Sequence, residues 1–307
     1  MKQEKSWAVI VNPVAGNNFA GSYVDTIKEK FDAEGINIDM VFTERKGHAS
    51  ELAKKFADEG YSHIIGVGGD GTMNEIAAPL IGNNTITMGL VPAGTGNDFN
   101  QILGFPDRFS DEDWKTFFNE STHLMDVGFC NSMHFLNGMG LGFDAQVAAE
   151  NYVESGEVKT GGKGKYIWHI LKTLLFFKEK RFTISTSEGK KETDCFINTV
   201  SIGRRFAAGF FLTPRAIAND GLLDVCNIEK LNLIQRLKIL LMVPKGEHLK
   251  DKKVNYYQTP KLELEFSEEV PYHVDGELNF GKYFEIYCKP AALKIIYNPK
   301  GKHFFND

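Results

Sequence analysis

The chain has 307 residues, of which 42% are hydrophobic and 24% charged, and a formal net charge of -5. That composition is ordinary for a globular protein with room for one large or two modest domains. The acidic balance excludes a dedicated nucleic-acid binder, which needs a basic face to neutralise phosphates. Cys130, Cys195, Cys226 and Cys288 are widely spaced, with no CxxC pair and no histidine at ligand spacing. This argues against zinc or a disulfide framework and for a reducing cytoplasm. The apolar run Trp7–Val11 is too short for an export signal, and nothing approaches the roughly 18 apolar residues of a membrane span.

From the N-terminus, short apolar runs alternate with stretches of helical spacing, the pattern of βα units on a parallel sheet. Strands are expected at Trp7–Val11, Ile36–Phe42, His63–Val67 and Ile86–Val91. Between them Tyr23, Ile27, Lys30 and Phe31 share a helical face, as do Leu52, Phe56 and Ala57, and then Met73, Ile76, Ala77 and Leu80. The expected fold is α/β, an open doubly wound sheet whose ligands sit beyond the carboxyl ends of its strands. The loops there are Asn12–Gly16, Thr43–His48, Gly68–Thr72 and Pro92–Asp98, so four loops are expected to converge on one crevice.

After about Asp126 the pattern becomes alternating, with segments Arg181–Thr186, Cys195–Ile202, Leu222–Ile228 and Leu262–Phe266 separated by turns such as Ser187-Glu188-Gly189 and Asn219-Asp220-Gly221. An antiparallel, β-rich, sandwich-like second domain is expected. Helices are expected at Tyr166–Phe177 and at Leu233–Met242, where Leu233, Leu237, Leu240 and Leu241 share a face before Pro244. The expected division is a nucleotide-binding domain over 1–128, rejoined by 291–307 through a strand at Leu293–Tyr297, and a lipid-substrate domain over 129–290.

Two glycine-rich loops carry the chemistry. Gly66-Val67-Gly68-Gly69-Asp70-Gly71 satisfies G-x-G-x-x-G between a strand and a helix, which first points to a dinucleotide fold. The acidic residue expected some twenty positions later is missing. Asp70 beside a bare pyrophosphate would also be unfavourable by about 4 kcal/mol per charge at roughly 4 Å and an effective dielectric near 20. A magnesium ion between carboxylate and phosphates reverses that sign, so the loop reads as phosphoryl transfer. The bland alternative is a tight turn with Thr72 as helix cap. The second loop, Pro92-Ala93-Gly94-Thr95-Gly96-Asn97-Asp98, at the next strand end, argues against it.

Gly68-Gly69-Asp70-Gly71-Thr72 with Asn74-Glu75, followed by Pro92 to Phe99, resembles the catalytic domain of the diacylglycerol kinase family, which includes sphingosine and ceramide kinases. NAD kinases and phosphofructokinases share the GGDG loop; the Asn-Glu pair and the second loop are what point to lipid kinases. The resemblance covers most of the chain and both domains. It implies ATP as donor, magnesium as cofactor, and nucleotide contacts from Asn12, Thr43, Gly66, Gly68, Gly69, Asp70, Gly71, Thr72, Asn74, Glu75, Gly94, Thr95 and Asn97. It further implies a magnesium network through Asp70, Asp98 and Asp126, and a structural magnesium loop in which Asp220 gives its carboxylate while Ile217 and Leu222 give carbonyls. His273-Val274-Asp275-Gly276-Glu277 resembles the family's D-G-E motif, which makes Glu277 the general base on the lipid hydroxyl; read alone, Asp275-Gly276 is a hairpin turn, and both readings are compatible.

One departure is Gly203-Arg204-Arg205-Phe206-Ala207-Ala208-Gly209-Phe210-Phe211, where many bacterial members carry a run of glycines; the two arginines read either as phosphate or headgroup contacts or as a solvated loop. From Gly156 to Arg181, Lys159, Lys163, Lys165, Lys172, Lys178, Lys180 and Arg181 face only Glu157 and Glu179, with Trp168, Phe176 and Phe177 interleaved. Two readings stand: a peripheral contact with an anionic leaflet, or a helix burying Ile167, Leu171, Leu174 and Phe177 beneath solvated lysines. The expected partners are ATP and a lipid at a membrane surface, with no nucleic acid and a homodimer left open, and the expected location is cytoplasmic, at the inner face of the membrane. The rival readings are a NAD kinase-like small-molecule kinase and a non-catalytic nucleotide sensor on the same fold.

Overall fold

The computed structural model describes residues 5–151, 172–207 and 209–306. The chain divides into two compact units, one of Met1–Val127, Ile217–Gly221 and Lys289–Asp307, the other of Gly128–Ala216 and Leu222–Cys288. The return of 217–221 to the first unit has no signal in the alternating pattern around it.

In the first unit the order is β1 (Trp7–Val11), α1 (Ala15–Ser22), α2 (Val24–Ala33), β2 (Ile38–Phe42), α3 (His48–Asp58), β3 (His63–Gly68), α4 (Asp70–Ala77), β4 (Thr87–Pro92), α5 (Asp98–Ile102) and α6 (Asp111–Phe118). β1 pairs in parallel with β2 on one side and β3 on the other, and β3 with β4. Every residue of β1, β3 and β4 is buried, which is why each reads as a continuous apolar run. Helix α2 buries Ile27 and Phe31; Phe31 meets Trp7, Trp114 and Phe118 edge-on at 5.7, 6.3 and 5.0 Å, and Ser110 and Asp113 form a capping box that starts α6. The chain leaves β1 for β2 and returns on its other flank as β3. The carboxyl ends of β1 and β3 therefore mark the switch point at which open α/β sheets bind ligands.

The remaining elements are β5 (Thr122–Cys130), β6 (Met133–Phe135), β7 (Gly138–Gly142), α7 (Phe143–Asn151), β8 (Lys180–Thr186), β9 (Gly189–Ser201), β10 (Leu223–Glu229), α8 (Leu233–Met242), β11 (Val254–Thr259), β12 (Lys261–Val274) and β13 (Glu277–Ile296). Residues 289–296 of β13 lie in the first unit, where Ile295 pairs in parallel with Met88 of β4. Within the second unit the pairings are antiparallel. β9 and β12 each pair with β8 along one part of their length and with β7 along another. Between these parts the β12–β13 ladder shifts register from Glu265 to Val270, which is why only Leu262–Phe266 of this 14-residue strand stands out in sequence.

Two helical expectations change. Of Tyr166–Phe177, residues 166–171 lie outside the described residues, and 172–176 are helical with Leu174 buried and Phe176 exposed. Lys159, Lys163, Lys165 and Trp168 also lie outside them. Helix α8 buries only one edge of the face shared by its leucines: Leu240 is half-buried and packs on the core beside Ile239, Leu233, Leu237 and Leu241 are exposed, and Arg236 points inward.

Candidate active site

The first, third and fourth loops of the parallel sheet meet through their backbones. Ala93 and Gly94 donate to the Gly68 carbonyl at 2.8 and 3.1 Å. A Cβ on Gly94 would stand 2.5 Å from the Gly69 Cα. Glycine at 69 and 94 is thus required by the approach of one loop to the other. Gly16, at φ +61°, leaves no room for a side chain against the Ala93 carbonyl. Gly66 and Gly68 end β3, whereas Gly71 is exposed and has nothing within 4 Å of its Cβ position. Gly71 lies in the first turn of α4, where backbone amides lack intrahelical acceptors and a helix N-terminus favours an anion.

Around that turn the supporting contacts are specific. Asn12, immediately after β1, donates its Nδ2 to Thr72 Oγ1 at 3.0 Å, and Thr43 donates its amide to the Val11 carbonyl at 2.9 Å. Asn74 is half-buried on α4, and Thr95 is exposed at the crest of the fourth loop. Glu75 accepts from the amides of Gly47 and Ala49 at 2.8 and 3.2 Å, so its carboxylate caps α3 and holds the second loop. Asn97, at φ +51°, folds its amide back on Gly94 N and O at 3.1 and 3.2 Å. Both therefore support the loops through these bonds. Arg108, which nothing in the sequence pattern singles out, lies 4.1 Å over the Phe19 ring and donates at 3.4–3.5 Å to the carbonyls of Pro92 and Gly94. Its signal is positional only: a cation ten residues beyond the end of the loop.

Asp70 joins the two glycine loops. Its carboxylate accepts from Phe99 at 2.9 Å and Asp98 at 3.2 Å, at the start of α5. Burial raises its pKa above the ordinary carboxylate value although these amides pull it down. Asp98 is half-buried beside it. The third member of the expected network, Asp126, takes other partners: it accepts from Gly221 at 2.6 Å and Ala291 at 2.8 Å. Its pKa is raised, first by burial and, among smaller effects, by the charge of Asp220. The structure thereby groups Asp126 with the 217–221 loop, in which Ile217 and Asp220 are half-buried; Leu222 follows directly, ahead of β10.

No group of three or more acidic, histidine or cysteine side chains able to hold a metal occurs among the described residues. Magnesium does not require one, since one or two carboxylates plus phosphate oxygens and water complete its shell. A half-buried carboxylate at the start of α4, and a buried acid whose pKa is raised first by burial and then by a neighbouring acid, both fit a cation.

In the second unit β12 and β13 are joined by Asp275-Gly276, with Val274 opposite Glu277. Both turn residues have positive φ, 44° and 85°, the two-residue hairpin that favours Asp-Gly. Asp275 accepts from three consecutive amides, Leu136 at 2.7 Å, Asn137 at 3.1 Å and Gly138 at 2.9 Å. The turn is therefore clamped to the segment entering β7, and Glu277 emerges from it exposed to solvent. Behind the turn His273 Nε2 lies 3.1 Å from Asp144 Oδ2, in space that a side chain at Gly140 would fill. Arg204 donates its Nε to the Ala216 carbonyl at 2.6 Å. Arg204 and Arg205 are both half-buried, so neither side chain is fully solvated.

Residues 6–130 match the family model of the diacylglycerol kinase catalytic domain, and residues 137–297 that of the YegS C-terminal NAD kinase beta sandwich-like domain. A diacylglycerol kinase of Bacillus subtilis is 27% identical over 273 residues, which cover 88% of each chain. A "Probable lipid kinase YegS-like" of Cronobacter sakazakii is 29% identical over 270 residues, covering 87% of this chain and 88% of its own. The crystal structure of a diacylglycerol kinase from Bacillus anthracis str. Sterne superposes with a TM-score of 0.74 at 20% identity, covering 97% of this chain and 99% of that one, a likeness of fold.

Proposed function

The chain belongs to the diacylglycerol kinase family of lipid kinases, and from that membership we propose that it transfers the γ-phosphoryl group of ATP to a lipid hydroxyl. Diacylglycerol is the acceptor favoured by the relatives' names; a sphingoid base, ceramide or phosphatidylglycerol offers the same chemistry. The observation that carries the reading is Asp70: a half-buried acid tied to the amides of Asp98 and Phe99, at the helix start that an anion would occupy.

In this reading the nucleotide's phosphates lie over the first turn of α4, against Gly71 and Thr72, with Asn12 fixing the Thr72 hydroxyl and Thr95 exposed opposite. Glu75 and Asn97 hold the surrounding loops in shape. Magnesium, when bound, would neutralise the charge that builds on the transferred group; Asp70 would hold it with Asp98 beside it. Asp220 and the Ile217 carbonyl, backed by Asp126, would hold a second, structural ion. Glu277 would accept the proton of the attacking hydroxyl. Its exposure at the tip of a clamped hairpin supports a base that meets its substrate from solvent or from a lipid surface.

A NAD kinase-like acceptor is the second reading, favoured by the description of the family model that matches the second unit. The test is labelled ATP with magnesium against diacylglycerol, monoacylglycerol, sphingoid bases, ceramide, phosphatidylglycerol and NAD. Label in a lipid is expected; label in NAD alone would overturn the reading.

A further inference from the structure

Helix α8 faces outward with its apolar side. At 3.6 residues per turn, Leu233, Ile234, Leu237 and Leu241 fall within an arc of about 100°. Ile234 is 80% and Leu241 79% exposed. The inward side is built on Arg236, which is 7% exposed. It donates to the carbonyls of Leu174 at 2.6 Å and Phe177 at 2.9 Å and pairs with Glu179 at 2.7 Å. These bonds fix the helix the other way round from its leucine pattern. They also fasten it to residues 172–177, where Leu175 and Phe176 are exposed as well, the latter by 73%.

The charge around this face is one-sided. Residues 172–180 and 230–245 contain seven basic side chains and one acid, Glu179, and Arg236 takes that acid. Of the acids of neighbouring elements, Glu229 is bonded to Lys253, Glu247 to Lys250, Asp251 to Lys238 and Glu268 to Lys180, while Glu150, which accepts from Thr173, and Glu269 line a pocket together with Lys172, Phe176 and Lys178. Lys172, Lys178, Lys230 and Lys245 remain, all exposed, flanking the apolar residues in sequence. No helix among the described residues is long and apolar enough to cross a bilayer. An apolar arc with a cationic margin is the signature of a helix that lies in the interface of an anionic membrane.

We propose that the outward face of α8, with Leu175 and Phe176, is the surface by which this protein docks on anionic phospholipid bilayers. A second copy of the chain is the poorer occupant, because self-association would set these lysines against one another. The proposal deepens the lipid-kinase reading and rests on it for its purpose.

The experiment measures association of the full chain with vesicles of phosphatidylcholine alone and of phosphatidylcholine with phosphatidylglycerol. Turnover on a short-chain, water-soluble diacylglycerol and the sedimentation state are measured in parallel. Wild type should bind the anionic vesicles and release them as salt rises. Ile234→Asp with Leu241→Asp should lower binding by about tenfold or more, with melting and short-chain turnover unchanged; Lys230→Glu with Lys245→Glu should remove most of the salt dependence. Vesicle binding by both variants equal to wild type would overturn the proposal, as would a wild-type dimer that the first variant dissociates without losing vesicle binding. Lost vesicle binding together with no turnover of any lipid by wild type would uphold the surface and overturn the kinase reading instead.

Discussion

Replacing Asp275 by alanine tests how the second unit presents its base. The substitution removes an acceptor held by three consecutive amides at 2.7, 3.1 and 2.9 Å. A hydrogen bond to a charged group contributes about 1.5–3 kcal/mol. Here the three bonds share one carboxylate and are not additive, so the net loss is placed at about 2–4 kcal/mol. The loss is local: it frees the hairpin from the Leu136–Gly138 segment and leaves the β12–β13 ladder in place. Asp275→Asn keeps one acceptor oxygen and should cost about 1–2 kcal/mol. Hydrogen exchange across residues 135–139, followed with turnover and ATP affinity, reads the effect. In Asp275→Ala the three amides should exchange faster and kcat should fall by about tenfold or more, because a base displaced by as little as 1 Å is a poor base, while ATP affinity stays constant. Amides as protected as in wild type, with kcat intact, would refute the clamp.

Gly94→Ala drives a Cβ to 2.5 Å from the Gly69 Cα and should cost roughly 1–3 kcal/mol, seen as a lower melting temperature with weaker ATP binding; Gly71→Ala, with nothing within 4 Å, should leave melting unchanged and weaken ATP alone. Glu75→Ala strips the cap from Gly47 and Ala49 and should cost about 1–2 kcal/mol, with faster limited proteolysis between residues 43 and 49. Burial holds the Asp70 pKa above the ordinary carboxylate range, so its ionised fraction is lost at a higher pH than for an exposed aspartate. The acid limb of kcat/KM for magnesium-ATP should accordingly lie above that range; a limb at the ordinary aspartate value would contradict it. By linkage the folded chain holds this proton more tightly than the unfolded chain. Asp70 therefore contributes stability below its unfolded pKa, and that contribution fades as pH rises through the raised folded value.

The parallel sheet was legible because its strands are buried on both faces: Trp7–Val11, His63–Gly68 and Thr87–Pro92 are almost wholly apolar runs, broken only by His63 and Thr87 at their starts, with loops that carry glycines behind them. The positions of Asp70 and Glu277 followed from motif and turn chemistry. What the sequence could not convey is which partner a residue chooses. Gly69 and Gly94 look like places where a ligand approaches, yet each makes room for the other. Glu75 sits beside the phosphate loop in sequence and spends both oxygens on another helix. Asp126 has its two amide partners at 221 and 291, far along the chain. The leucines of α8 match a buried face by period alone, and only the bonds from Arg236 to Leu174, Phe177 and Glu179 decide that the arginine goes inside. Each case depends on a long-range contact, which a local pattern does not encode.

The most direct test of phosphoryl transfer to a lipid with Glu277 as base is a single-turnover reaction of γ-labelled ATP with diacylglycerol, run for wild type and Glu277→Gln alongside an ATP-binding titration. The account predicts label in the lipid with wild type, a loss of about 10²–10⁴-fold in the variant, and equal ATP affinity for both. Undiminished transfer by Glu277→Gln, or wild-type label that never reaches a lipid, would contradict it.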